Sequence, residues 1–152
     1  MADNDPDDET PLSLRALRGV VATLQTGDFE QLAAWFSDEF VAHARFRVST
    51  ADYCRAEYLE LLESHFRNKA TQSELVEVLE TRGDRLVLTR SNFFVTGSDR
   101  EDFGDIELQS HTVVEVDERR RRCALWPFDV DDLDRALETL DARDAILQQV
   151  DG

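Results

Sequence analysis

The sequence contains few of the residues that build disulfide frameworks, metal knuckles or membrane spans. Its only two cysteines, Cys54 and Cys123, lie far apart in a chain of 152 residues. We therefore expect two reduced, half-buried thiols and no disulfide. Every apolar run is much shorter than the about 20 residues that cross a bilayer. No charged-then-apolar signal pattern opens the sequence, which predicts a cytoplasmic protein.

Positive charge is also scarce. The 17 basic residues are outnumbered by 33 acidic ones, which gives a formal net charge of −16. Lys69 is the sole lysine, and all other basic residues are arginines. A surface with this much negative charge repels nucleic acid phosphates and anionic lipids. We therefore expect neither nucleic acid nor a membrane as a partner.

Length and composition predict a single domain with an acidic N-terminal tail. A hydrophobic content of 41% is enough for a globular core in a chain of 152 residues. Residues 1–11 are acidic, contain two prolines and show no apolar periodicity, so we expect a disordered tail. The folded domain is predicted to span 12–147, and 148–152 to form a short second tail.

The first half of the chain predicts three helices and one strand. Apolar residues recur at helical spacing from Leu12 to the residues before Gly27, and Asp28 is a suitable cap for a second helix through Phe36. Residues 40–48 alternate between apolar and polar side chains, as in a strand. Residues 49–52 are similar to a helix start, and the third helix is predicted to carry Tyr53 and Tyr58.

The second half predicts two hairpins. Residues 73–81 and 85–95 alternate on either side of a glycine-containing turn, and 106–116 and 120–128 form the second pair. A polar loop over 96–105 joins the two hairpins. Its acidic residues do not have the spacing of a calcium-binding loop, so a solvated loop is favoured.

A final helix completes the predicted α+β fold. It begins at the acidic run after Asp129, and its apolar stripe consists of Leu133, Ala136, Leu137 and Leu140. The element order is helix, helix, strand, helix, four antiparallel strands and helix. We expect the helices to gather on one face of a strongly bent antiparallel sheet.

Three segments resemble the NTF2-like superfamily, in its SnoaL-like branch. They are TGDF at 26–29 with LAAWFSDEF at 32–40, ETRGDRLVL at 80–88, and LWPFDVDDLD at 125–134. The resemblance implies a cone in which three helices from the N-terminal half pack on the concave face of the sheet, with a C-terminal helix. It also implies a small-molecule cavity and a homodimer, because many relatives pair through the outer face of the sheet.

Two catalytic patterns of this superfamily are incomplete here. Members resembling limonene-epoxide hydrolase use an Arg-x-Asp and a second Asp, whereas this chain has Arg90, Asn92 and, at the second position, Trp126. Members resembling ketosteroid isomerase use an Asp base and a Tyr donor, which align with Ala44 and Val20. Both reactions are disfavoured by these replacements.

The remaining candidate for proton transfer is His111. A neutral imidazole in a dry pocket can exchange a proton near neutral pH. The alternative is a structural or surface histidine, and His43 and His65 fit that description as well. Three scattered histidines do not predict a metal site, and we expect no metal or cofactor.

The candidate site combines these residues with polar anchors and an apolar wall. Arg90 and Asn92 share one face of a strand and are predicted to orient a carbonyl or carboxylate. Arg90 and His111 are the catalytic candidates. The predicted ligand-binding residues are Asn92, Trp126, Phe94, Tyr53 and Tyr58.

The sequence thus predicts a SnoaL-like protein whose apolar pocket binds a small apolar or carbonyl-containing molecule. Acid/base chemistry of the isomerase or cyclase type is compatible with this prediction. The alternative is a non-catalytic sensor or dimerisation domain of the kind fused to bacterial regulators. The sequence leaves open whether the protein is an enzyme.

Overall fold

The computed structural model describes residues 10–26, 28–47, 50–67, 71–96 and 106–151. Residues 1–9 of the predicted tail over 1–11 and most of the predicted loop over 96–105 lie outside these ranges. The described helices are α1 (Leu12–Thr26), α2 (Phe29–Ala33), α3 (Arg55–Arg67) and α4 (Leu133–Asp151). The described strands are β1 (Phe36–Arg45), β2 (Thr50–Cys54), β3 (Thr71–Arg82), β4 (Leu86–Thr96), β5 (Ile106–Val116) and β6 (Arg122–Asp129).

The strands form one curved, unclosed sheet in the order β2-β1-β6-β5-β4-β3. The β3–β4, β4–β5 and β5–β6 pairs are antiparallel, as predicted. Strand β1, however, pairs with β6 in parallel. The sheet is therefore mixed and not wholly antiparallel, and β2, α3, β3, β4 and β5 lie between these two parallel strands in the chain.

The helices cover both faces of the sheet. The inner face, marked by Val87, Val114 and Leu125, packs against α1, α2 and α3 in one hydrophobic cluster. The outer face, marked by Leu86 and Leu88, packs against α4 in a second cluster. The expectation of helices on a single face is thus correct for α1–α3 and wrong for α4.

The apolar character of β4 explains this arrangement. Leu86, Val87 and Leu88 are all fully buried, although successive side chains in a strand point to opposite faces. Burial of one such side chain stabilises the fold by about 1.5–3 kcal/mol. Ala136 and Leu140 of α4 are likewise fully buried, so α4 supplies the cover that the outer face requires.

The turn before β4 anchors the start of α1. Gly83 has a φ of 56°, a conformation that glycine adopts at little cost, and the chain reverses there as the sequence predicts. The backbone N–H of Ser13 donates to the Asp84 carbonyl at 3.0 Å. The backbone N–H of Leu12 donates to Asp84 Oδ1 at 2.9 Å. The first free N–H groups of α1 are thus satisfied by the β3–β4 turn.

Two predicted boundaries between 28 and 54 are wrong. Asp28 caps α2 as expected, since its side chain accepts a hydrogen bond from the Gln31 N–H, but the strand already begins at Phe36. Residues 50–54 form β2 rather than the start of the third helix, and Tyr53 therefore lies in a strand. Helix α3 follows β2, with Glu57 accepting a hydrogen bond from the Cys54 N–H at 3.0 Å.

The final helix is longer than the sequence pattern indicates. It continues to Asp151, so residues 148–151 are helical and do not form the expected tail. None of the described helices is long and apolar enough to cross a membrane.

Candidate functional site

The structure divides the predicted site residues between the two faces of the sheet. Successive side chains of a strand point to opposite faces, and Val87 of β4 points to the inner face. Arg90 and Asn92, three and five residues later, therefore lie on the outer face. His111 is opposite Arg90 in the β4–β5 register and shares this outer face. Trp126 packs against the outer hydrophobic cluster. These four side chains thus point away from the surface that α1–α3 cover.

His111 is a buried and neutral side chain. It is 6% exposed, and its Nδ1 has no hydrogen-bond partner in the described part of the chain. Burial lowers the pKa of His111, the nearby Arg90 charge lowers it further, and the backbone of Val130 and Asp129 acts in the opposite direction. The imidazole is therefore uncharged at neutral pH.

No hydrogen bond joins the Arg90 and Asn92 side chains in the described part of the chain. Arg90 is exposed, and no ion pair joins it to a carboxylate whose side chain the structure describes. The Asn92 Oδ1 atom is buried and has no hydrogen-bond partner among the side chains and backbone that the structure describes. The predicted pair of polar anchors is therefore present on one face of β4 but is not assembled into a hydrogen-bonded site.

The two predicted tyrosines lie on the inner face. Tyr58 packs against Phe36 and Phe40, with ring centroids 5.7 and 5.1 Å away. Tyr53 is opposite the inward-facing Ala42 in the β1–β2 register. The side chain of Phe94 lies outside the described residues. The predicted catalytic and ligand-binding residues consequently do not converge on one cavity.

The inner face of the sheet changes along the strands from an apolar row to rows that carry hydroxyl side chains. Its first row runs across Ala42, Leu125, Val114 and Val87 and lies in the hydrophobic core. The next rows, two and four residues further along the strands, hold small and hydroxyl side chains. The second row comprises Ala44, Pro127, Thr112 and Thr89, and the third comprises Asp129, Ser110 and Ser91; we call these two rows the hydroxyl rows.

The hydroxyl rows combine polar groups with an apolar border. The Ser110 and Thr112 hydroxyl oxygens lie 3.3 Å apart, and the Thr89 hydroxyl donates to the Thr112 carbonyl at 3.4 Å. Val78, opposite Thr89 in the β3–β4 register, is 42% exposed. Sequence reasoning missed this surface, although the alternating Ser and Thr of β4 and β5 were a visible signal.

A groove of about 560 Å³ lies on the other side of the sheet. We call it the outer groove; it is bordered by β1, the β5–β6 hairpin and α4. Its polar lining includes Ser37, Arg85, Glu115 and Arg143, and its apolar lining includes Val41, Ala124 and Trp126. Of these residues, only Trp126 was predicted to take part in a site.

Paired side chains surround Trp126 in the outer groove. Arg143 lies over its ring at 5.3 Å from the centroid, and His43 stacks on it with centroids 5.1 Å apart. Glu115 is 5% exposed, and Arg143 Nε donates to its Oε1 at 2.8 Å. Burial, together with the Glu115 carboxylate, raises the pKa of Cys123 to about 12. The Cys123 thiol is therefore protonated and unreactive at neutral pH.

Three carboxylates before α4 could in principle hold a cation. Asp129, Asp131 and Asp132 place ligand atoms within 4.8 Å of one another. The Arg47 guanidinium already contacts Asp131 at 3.0 Å and Asp132 at 3.5 Å, and these charges raise the pKa of Arg47. An arginine thus supplies the positive charge that this acidic turn requires.

Comparison at the level of sequence identifies no relative. No family profile matches the chain, and no curated protein matches it either.

Several solved structures are similar to this chain. A putative SnoaL-like polyketide cyclase from Shewanella denitrificans is 14% identical with a TM-score of 0.62, over 85% of this chain and 98% of that one. Δ5-3-ketosteroid isomerase from a Mycobacterium species is 13% identical with a TM-score of 0.63, over 81% and 96%. A Mycobacterium tuberculosis protein in complex with estradiol-17β-hemisuccinate is 12% identical with a TM-score of 0.61, over 80% and 97%. The chain therefore has the NTF2-like fold of SnoaL-like cyclases and ketosteroid isomerase.

Proposed function

We propose that this protein binds a small apolar or carbonyl-containing molecule on the inner face of its sheet, at the hydroxyl rows. The observation that carries the proposal is the change in side-chain size along the inner face. Phe36, Phe40 and Tyr58 pack together beside the first row. The two hydroxyl rows consist instead of alanine, proline, threonine, serine and one aspartate, and Ser91, Ser110 and Thr112 remain partly exposed.

The chemistry of the hydroxyl rows suits an apolar molecule with a polar end. Val76 and Val78 extend the surface along β3, and apolar area removed from water contributes about 25 cal/mol per Å² to binding. The Ser110 and Thr112 hydroxyls can donate to a ligand carbonyl. The steroid derivative bound by the Mycobacterium tuberculosis neighbour has this combination, which supports a ligand of that class here.

Binding is favoured over catalysis for this ligand. His111 and Arg90 lie on the outer face, so the sheet itself separates them from a molecule on the inner face. Asp129 is the one ionisable residue in the hydroxyl rows, and its carboxylate accepts a hydrogen bond from the Arg47 N–H at 2.8 Å. We therefore propose a non-catalytic sensor or carrier, in line with the missing carboxylate bases.

The decisive experiment measures binding of estradiol-17β-hemisuccinate to the protein and to Thr112→Val, which keeps the shape of the side chain and removes its hydroxyl. We expect Thr112→Val to raise the dissociation constant about two- to tenfold, because this is the effect of losing one hydrogen bond between neutral groups. Thr139→Val on α4 is the matched control and leaves affinity unchanged. Equal affinity for all three proteins, or no binding at all, would contradict the proposal.

We also propose a cytoplasmic homodimer. The resemblance implies pairing through the outer face, and α4 covers much of that face here. A dimer of this kind would therefore use the exposed side of α4, where Ile146 is 44% exposed. Light scattering of the purified protein, compared with Ile146→Glu, tests this: the variant should be monomeric if the helix forms the interface.

A further inference from the structure

We propose that the outer groove is a second binding site, which takes a small organic monocarboxylate with a flat apolar body. Arg85 and Ser37 would bind the carboxylate, and Val41, Ala124 and Trp126 would contact the apolar body. The two sites lie on opposite faces of the sheet, so this inference does not depend on the function proposed for the inner face.

The first evidence for this site is the buried hydroxyl of Ser37. The residue is 5% exposed and lines the groove, yet its Oγ has no hydrogen-bond partner in the described part of the chain. Buried hydroxyls are nearly always hydrogen-bonded, because an unmade bond costs free energy. A ligand oxygen in the groove would accept a hydrogen bond from this hydroxyl.

The second evidence for this site is the positive charge of Arg85. The other two groove arginines are neutralised: Arg143 by Glu115 at 2.8 Å and Arg121 by Asp117 at 3.3 Å. Arg85 instead donates its Nε to the neutral carbonyl of Val116 at 2.7 Å. It forms no ion pair with any carboxylate whose side chain the structure describes.

The unpaired charge of Arg85 defines the ligand. A guanidinium whose terminal N–H groups are free binds a carboxylate through two parallel hydrogen bonds. The nearby Cys123 remains a neutral thiol because burial raises its pKa to about 12, so no thiolate competes for the guanidinium. Arg85 is therefore available to an anion from solution.

The remaining lining limits the charge and the size of the anion. Asp38 and Glu39 are exposed at the groove, and their charges repel phosphates and other multiply charged anions more strongly than a monocarboxylate. A volume of about 560 Å³ lies within the usual range for small-molecule sites. One or two fused rings would fit the apolar wall.

The first test is a pair of probes that differ only in charge, 2-naphthoate and 2-naphthamide. We expect calorimetry to show binding of 2-naphthoate at least about tenfold tighter, because hydrogen bonds to charged groups are the stronger ones. In NMR spectra of the labelled protein, the indole N–H of Trp126 should shift. The indole of Trp35, which donates to Thr23 on α1, is the internal control, and Trp35→Phe assigns the two signals.

The second test removes the anchors one at a time. Arg85→Gln should weaken 2-naphthoate binding at least about tenfold, and Ser37→Ala about two- to tenfold. The Ser37 hydroxyl makes no hydrogen bond within the described part of the chain, so Ser37→Ala also serves as a test if Arg85→Gln fails to fold. Arg119→Gln, an exposed arginine of the β5–β6 turn, is the matched control and leaves affinity unchanged.

Several results would overturn the proposal. They are no binding of 2-naphthoate at millimolar concentration, equal affinity for the amide, or full affinity in both Arg85→Gln and Ser37→Ala. The inner-face variant Thr112→Val separates the two sites. It should leave 2-naphthoate binding intact, whether or not the inner face binds a steroid.

Discussion

Glu115 and Arg143 form an ion pair that joins the sheet to the C-terminal helix. Arg143 Nε on α4 lies 2.8 Å from Glu115 Oε1 on β5, and the Glu115 side chain is only 7% exposed. The same guanidinium lies over the ring of Trp126. One arginine therefore neutralises a buried carboxylate and packs against Trp126, which lines the outer groove.

Replacing Arg143 with methionine should destabilise the protein by about 2–4 kcal/mol, because Glu115 would be left buried without its cation. Urea denaturation of Arg143→Met measures the loss. Arg119→Met is the matched control, and as an exposed arginine it should change stability by less than about 0.5 kcal/mol. Similar values for the two variants would show that the pair contributes little.

Gly19 should not tolerate even a methyl group. A Cβ atom there would lie 2.2 Å from the Trp35 ring, whose indole N–H donates to Thr23 at 3.0 Å. Alanine favours a helix by about 1 kcal/mol over glycine, but we expect Gly19→Ala to destabilise the protein by about 1–3 kcal/mol through overpacking. Thermal denaturation measures this effect.

The Trp35→Ala background is the control for the glycine prediction. With the ring removed, Gly19→Ala should become neutral or stabilising, since only the helix preference remains. A destabilising effect of equal size in both backgrounds would contradict the contact between Gly19 and Trp35.

Stability should fall as the pH drops below the ordinary histidine pKa of about 6.5. Burial lowers the pKa of His111 in the folded state, so the unfolded chain binds its proton first. The stabilisation is complete above the unfolded pKa and is lost as pH falls toward the folded one. The slope due to this one proton cannot exceed about 1.4 kcal/mol per pH unit.

The comparison of wild type with His111→Gln isolates that contribution, since all other titrating groups are shared. Urea unfolding from pH 8 to pH 5 should give a difference between the two proteins that changes below about pH 6.5. A constant difference over the whole range, or an NMR titration of His111 at its ordinary pKa, would refute the prediction.

The two cysteines should differ greatly in reactivity. Cys54 is exposed, whereas burial raises the pKa of the Cys123 thiol to about 12. Since the thiolate is the nucleophile, iodoacetamide at pH 8 should modify Cys54 and leave Cys123 unmodified in the folded protein. Mass spectrometry of tryptic peptides measures both sites, and unfolding in urea should expose Cys123. Comparable rates in the folded protein would contradict the burial of Cys123.

Local patterns in the sequence correctly predicted the secondary structure that forms between residues close together in the chain. The β3–β4 hairpin was predicted correctly because Gly83 marks the turn and the flanking residues alternate. The strand β2 was missed because residues 49–52 resemble a helix start. Its pairing with β1 is a tertiary contact, and no pattern within five residues reveals it.

The candidate site was harder to predict for a related reason. Arg90 and Asn92 were correctly placed on one face of a strand, but the sequence does not show whether that face meets α1 or α4. The first half of β4, from Leu86 to Thr89, is buried on both faces, so the sequence there does not mark one face as the exposed one. The assignment needs the packing of α4, which depends on residues more than forty positions away in the chain.

The parallel pairing of β1 with β6 has a consequence for synthesis of the chain. Arg47, just after β1, donates its backbone N–H to Asp129 at the end of β6, 82 residues later. The β3–β4 and β5–β6 hairpins can form soon after each is made, because their contacts are local. Strand β1 must instead wait, with one edge unpaired, until the last strand leaves the ribosome. A ribosome stalled before β6 would therefore present an incomplete sheet whose edge is open to aggregation.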